Sequence, residues 1–117
     1  MNTRKTGAEY EARAEDYLKK QGIRILEKNY RNRKGEIDLI GRDKEYLIFF
    51  EVKYRKSLKN GDPAEAVNFY KQKKICQVAD YYRLTHGIGE FCAVRYDVIA
   101  ICDEEITWYQ NAFSHIY

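Results

Sequence analysis

Two neighbouring apolar runs carry ionisable residues where a buried strand tolerates almost none, and this limits what the chain can become. Between Gly35 and Lys53 the sequence reads GEIDLIGRDKEYLIFFEVK. Asp38 interrupts Ile37 and Leu39-Ile40, while Glu51 and Lys53 interrupt the run Leu47-Ile48-Phe49-Phe50 with Val52. The aliphatic and aromatic content reads as two strands, Glu36 to Gly41 and Tyr46 to Tyr54, joined by the polar turn Arg42-Asp43-Lys44-Glu45. Charges in such strands are costly to bury unless they are paired, bound to a metal or turned toward a wet cleft.

Register counting tests whether these charges meet. A two-residue loop at Asp43-Lys44 and a four-residue loop from Arg42 to Glu45 give the same pairing, with Asp38 opposite Phe49 and Glu36 opposite Glu51. Side chains alternate along a strand and directly opposed residues share a face. Glu36, Asp38, Glu51 and Lys53 are therefore expected on one side of the sheet, with Asp38 and Glu51 as diagonal neighbours. A one-residue bulge would break that arrangement. Clustered carboxylates repel unless a cation joins them, and an oxygen-rich site suits Mg²⁺ or Mn²⁺. The carbonyl of Val52 is a third candidate ligand, and Lys53 could orient a water or steady charge on a phosphate. The competing structural reading is a ladder in which Lys53 neutralises Glu51 or Glu36, although buried ion pairs are poor sources of stability.

The remaining elements follow from pattern. Residues from about Gly7 to Gln21 form an amphipathic helix stopped by Gly22, and Ile23 to Tyr30 reads as a strand. Asp62-Pro63-Ala64-Glu65 is a helix start, with Asp62 as cap and Pro63 at the first helical position. That helix is expected to run through Val67, Tyr70, Ile75, Val78, Ala79 and Tyr82 and to stop near Gly87. Phe91 to Cys102 and Ile106 to Tyr109 complete an α-β-β-β-α-β-β order, which predicts an α/β protein with a mixed sheet and packed helices.

A chain of 117 residues is sized for one compact domain, and 44% hydrophobic with 33% charged residues makes it a folding sequence. No apolar run reaches the roughly 20 residues of a membrane span, and the charged start lacks a secretory pattern, so a cytoplasmic location is expected. Cys76, Cys92 and Cys102 are an odd number without CxxC spacing and read as small apolar groups in a reducing compartment. The net charge of +3 is modest, but its distribution is not even. Arg31, Arg33 and Lys34 precede the acidic centre and Arg55 and Lys56 follow it, an arrangement suited to a polyanion. A solvated charged surface is the plainer reading of the same residues.

Asp38 followed by Glu51-Val52-Lys53 at the end of an apolar strand resembles the PD-(D/E)xK nuclease signature. The wider pattern is similar to the YraN-like family (UPF0102), itself similar to archaeal Holliday junction resolvases. The matching elements are Glu11 with Ala14 and Tyr17-Leu18, Asn29-Tyr30-Arg31, Gly35-Glu36-Ile37-Asp38, Phe50-Glu51-Val52-Lys53 with Arg55, Gly61 to Val67, Lys71, and Arg95-Tyr96-Asp97. The resemblance spans nearly the whole chain and implies a restriction-endonuclease-like α/β core. In that core Asp38 and Glu51 hold a divalent metal, Lys53 assists hydrolysis, and a first-helix glutamate joins the site. Glu11 is the matching position, with Glu9 and Glu15 as competitors. Tyr10 departs from the small glycine that usually precedes this glutamate, and Ile37 replaces the signature proline.

The resemblance also implies a phosphate contact for Lys71 and a homodimer like that of related resolvases. Gln77 and Tyr81 fit the QxxxY pattern of some exonuclease relatives, and a helix face with Tyr81 in the core explains that spacing as well. Arg95 and Asp97, two apart on a strand, extend the site or form a local ion pair, the second being favoured. The aromatic tail from Trp108 to Tyr117 reads as a contact surface or as a final strand and packed terminus. Together these features predict a Mg²⁺- or Mn²⁺-dependent endonuclease acting on DNA, with branched DNA as one candidate. The alternative is a nucleic-acid-binding or adaptor domain that keeps the fold and performs little chemistry.

Overall fold

Five strands form one mixed sheet with a helix on each face. The computed structural model describes residues 3–55, 67–89 and 91–117, with side chains from residue 7 onward. The elements are α1 (Thr3–Lys20), β1 (Arg24–Asn32), β2 (Gly35–Asp43), β3 (Tyr46–Tyr54), α2 (Phe69–Thr85), β4 (Ala93–Cys102) and β5 (Glu105–Phe113). The strands lie in sequence order, β1-β2-β3-β4-β5. β3 and β4 are parallel, as the α2 crossover between them requires, and the other three pairings are antiparallel. This is the expected α-β-β-β-α-β-β order and matches a restriction-endonuclease-like core. No helix among the described residues is long and apolar enough to cross a membrane.

α1 packs through Ala14 and Leu18, four residues apart on one face, against Leu39, Ile48, Phe50, Ile99 and Ile101. Its end is fixed by Gly22 at φ 93°, where the Gly22 N–H donates to the Lys19 carbonyl and the Ile23 N–H to the Leu18 carbonyl. Those two bonds, with Leu18 and Ile23 both buried in the same cluster, are a Schellman stop. α2 covers the opposite face, burying Ile75, Cys76, Val78, Ala79 and Tyr82 against Ile40, Leu47, Phe49, Tyr96 and Val98. Central β3 is covered from both sides, so its apolar run is continuous instead of alternating.

The start of α2 and the end of β5 differ from expectation. α2 begins at Phe69 with Asn68 as its cap, the Asn68 side chain accepting from the Lys71 N–H at 2.8 Å. Val67 and Asn68 are not helical, so no single helix runs from Asp62 through Val67. The Asp62-Pro63-Ala64-Glu65 start, like Lys56, lies outside the described residues. β5 extends to Phe113, past the expected end at Tyr109, which places most of the aromatic tail in a paired edge strand.

The β2–β3 turn is Lys44-Glu45, with Asp43 paired to Tyr46 and Lys44 at φ 56°. Ile40, not Asp38, therefore faces Phe49, and the register sits two residues from the expected one. A slide of two residues leaves every side chain on the same face, so the apolar pattern is blind to it. The turn geometry decides, because a tight hairpin needs a residue able to take positive φ.

Candidate functional site

The site forms where β2 and β3 part. Their ladder ends at Leu39 and Phe50, so Asp38 and Glu51 are the next pair outward. Strict alternation also fails here. Leu39 belongs to the core under α1, yet Ile37 lies with the core under α2. The same change of face occurs on β1, between Lys28, which reaches Glu15 of α1, and Tyr30, which packs edge-on against Tyr82 of α2. Asn29 sits between them at φ 52°, a conformation asparagine adopts more readily than most residues. The expectation that Glu36, Asp38, Glu51 and Lys53 share one face by simple alternation is therefore corrected. Asp38 and Glu51 meet because the strands twist and separate at this point.

Glu51 is only 4% exposed and points toward α2. Its Oε1 is in direct contact with the Lys71 ammonium and lies 3.8 Å from that of Lys53. Asp38 is partly buried, and its Oδ2 accepts the Val52 N–H at 2.8 Å. Burial, reinforced by the negative charge of Glu51, pushes the Asp38 carboxyl up to about 8. Burial and the neighbouring Lys71 lower the Lys53 pKa, whereas Lys71 is raised because its contact with Glu51 outweighs the effect of burial. Two open cavities of ≈ 400 and ≈ 380 Å³ meet at this pair, sharing Asp38, Glu51 and Lys71.

Glu11 of α1 lines the second cavity with Val52 and Lys53. Its pKa is raised by burial and by the charge of Glu36, against a hydrogen bond from Asn29. Among the described residues no three Asp, Glu, His or Cys side chains close into a metal-binding group, so Glu11 borders the carboxylate pair without completing a triad. Glu15, a competitor for that role, is held instead by Lys19 at 2.9 Å and Lys28 at 3.5 Å.

The expected nucleic-acid contacts are dispersed. Arg31 pairs with Glu36 at 3.4 Å, and Arg33 and Lys34 are exposed in the β1–β2 turn. Arg55 follows β3, its N–H donating to the Ile101 carbonyl at 2.8 Å. Lys71 lies within the carboxylate site itself. Tyr81 is 49% exposed, so the reading that buries it in the core is corrected. Arg95 and Asp97 form the local ion pair: fully buried Asp97 accepts from Arg95, from the Trp108 indole at 2.8 Å and from the Asn111 N–H at 2.8 Å. With both oxygens so engaged, Asp97 is a structural residue of β4.

The backbone role of Asn29 and the stacked pair Tyr10–Tyr54, with ring centroids 4.9 Å apart, escaped sequence reasoning. An asparagine inside a strand pattern was the available signal for the first. For the second, the unusual Tyr10 marked the position but not its partner.

Residues 10–101 match the family described as "Uncharacterised protein family UPF0102". The chain belongs to the UPF0102 family. A UPF0102 protein of Lachnoclostridium phytofermentans is 43% identical over 114 residues, covering 97% of both chains. One from Marinobacter nauticus is 43% identical over 117 residues, covering 96% of this chain and 94% of its own. Another, from Clostridioides difficile, is 42% identical over 115 residues and is covered in full. The UPF0102 match takes in Glu11, Asp38, Glu51, Lys53 and Lys71, every residue of the carboxylate site named above.

Proposed function

We propose that this UPF0102 protein is a metal-dependent nuclease of the PD-(D/E)xK, resolvase-like type, hydrolysing phosphodiester bonds in DNA. The observation that carries the reading is the Asp38–Glu51 pair at the mouth of a cleft, flanked by two lysine ammonium groups. A carboxyl pushed up to about 8 by burial and a neighbouring carboxylate is a site short of positive charge. Two carboxylates suit Mg²⁺ or Mn²⁺, which take one or two such ligands and leave other positions to water and substrate phosphate. Asp38 and Glu51 would hold the ion, with the Val52 carbonyl and Glu11 as further candidates. Such an ion supplies Lewis-acid stabilisation of the charge that develops on a scissile phosphate.

The protein's own groups have separable tasks. Asp38 and Glu51 concentrate negative charge at one point, and the Val52 N–H fixes the orientation of Asp38. Lys53, whose pKa is lowered by burial and by Lys71, is suited to orient an attacking water through a hydrogen bond. Lys71 neutralises Glu51 in the metal-free protein and is placed to turn toward a phosphate oxygen instead. Arg33 and Lys34, exposed in the turn that precedes Gly35 of the first cavity, suit contacts to the backbone of a nucleic acid.

The test is a panel of linear, single-stranded, flapped and four-way DNA incubated with Mn²⁺ or Mg²⁺. Wild type is expected to cut at least one member, and Asp38→Asn none while keeping its fold by circular dichroism. Activity surviving in Asp38→Asn would refute the site. The Lys71–Glu51 contact favours a second reading, a binding or adaptor domain whose carboxylates are already neutralised. Absence of cleavage across the panel, with retained DNA binding, selects that alternative.

A further inference from the structure

A second groove lies between the β1–β2 turn and α2. Asn32, Arg33 and Lys34 of the β1–β2 turn form one wall, and Gln77, Asp80 and Tyr81 of α2 the other, around ≈ 590 Å³. Tyr70 and Lys74, which line the Asp38–Glu51 cavity, lie on the same face of α2 as Gln77 and Tyr81 of this groove, although the two linings share no described residue. Positions 70, 74, 77 and 81 recur at helical spacing and form one stripe, about 16 Å long at 1.5 Å per residue. Tyr70 is 67% and Tyr81 49% exposed, and neither packs in the two core clusters. The Lys74 ammonium lies 5.0 Å from the Tyr70 ring centroid, so cation and aromatic face are presented together.

This combination discriminates between forms of nucleic acid. A duplex offers phosphates and base edges but hides its base faces in the stack. Exposed tyrosines beside cations fit unpaired bases, which stack on aromatic rings while the backbone meets Arg and Lys. Gln77 adds a donor and an acceptor between the two rings. Asp80 is the acidic member of the described lining, and it faces His115 Nε2 at 3.4 Å.

Building on the nuclease reading, we infer that this α2 groove takes a single-stranded DNA segment leading to the carboxylate site. Tyr70 and Tyr81 stack its bases, and Arg33 and Lys34 hold its phosphates. The substrate class is then DNA with an unpaired arm or gap, not uninterrupted duplex.

Binding measured without catalysis tests this. Fluorescence anisotropy of a labelled mixed-sequence single strand and of its blunt duplex, in EDTA, compares wild type with four variants. Wild type is expected to prefer the single strand. Tyr70→Ala and Tyr81→Ala should each weaken single-strand binding about 5- to 150-fold, the range for loss of one stacked base. Tyr81→Phe, which keeps the ring, should bind as wild type does. The doubly substituted Arg33→Ala/Lys34→Ala protein should show a salt dependence reduced by about 0.7 per lost phosphate contact. Equal affinity for both DNA forms, or tyrosine-to-alanine variants that bind like wild type, overturns the groove. Because the assay contains no divalent ion, failure here leaves the hydrolysis test standing, and failure of hydrolysis leaves a single-strand preference standing.

Discussion

Replacing Asp38 by Asn isolates the electrostatic cost at the centre of the site. In the fold the Asp38 carboxyl is pushed from 3.8 to about 8 by burial and by the charge of Glu51. The unfolded chain gives up this proton near pH 4 while the folded chain keeps it, so the native state binds more protons between those values. Stability is then fullest below about pH 4 and is lost as pH rises through about 8. One unit of displacement corresponds to about 1.4 kcal/mol, which caps the effect near 6 kcal/mol. Asp38 is only partly buried and two ammonium groups stand nearby, so we expect a loss of about 2 kcal/mol between pH 5 and 9.

The amide introduced by Asp38→Asn cannot ionise, and its carbonyl oxygen can still accept the Val52 N–H that Asp38 accepts at 2.8 Å. Metal-free Asp38→Asn should therefore match wild type near pH 5 and exceed it by about 2 kcal/mol near pH 9. Urea denaturation across this range in EDTA, followed by circular dichroism, measures both proteins. Adding Mn²⁺ at pH 8 should reverse the order, stabilising wild type by about 2.7 kcal/mol at a hundredfold excess over its dissociation constant. Parallel pH profiles for the two proteins in EDTA would refute the electrostatic reasoning.

Two further predictions concern the framework that holds the site. Asp97→Ala leaves Arg95, the Trp108 indole and the Asn111 N–H without their shared acceptor and should cost about 3–5 kcal/mol in chemical denaturation. A loss below about 1 kcal/mol would show that water replaces the carboxylate. Gly41→Ala would set a methyl group 2.8 Å from Ile23 Cγ2 and 3.1 Å from both the Arg24 carbonyl oxygen and the Phe50 ring. Overpacking there should lower stability by about 1–3 kcal/mol, read as a drop in denaturation midpoint at unchanged slope.

The sequence by itself determined the order of elements, the mixed α/β class and the acidic pair with its lysine. Apolar runs and stop signals are local, and Gly22 ending α1 or Leu47 to Phe50 filling β3 depends on few distant contacts. The family, too, is written in the chain, through motifs whose spacing survives without coordinates. Tertiary structure decided how those residues meet. A two-residue slide of the β2–β3 hairpin preserves the apolar pattern, so only the Lys44-Glu45 turn could set the register. The change of face at Asp38 needed the positive φ of Asn29 on the neighbouring strand, a backbone event that period-two reasoning cannot register. Lys71 reached Glu51 because the crossover sets the first turn of α2 beside the end of β3, although 20 positions separate them in the chain. Tyr81, which spacing alone could bury, stands in the open because α2 turns Val78 and Tyr82 inward and leaves the stripe between them and the β1–β2 turn to solvent.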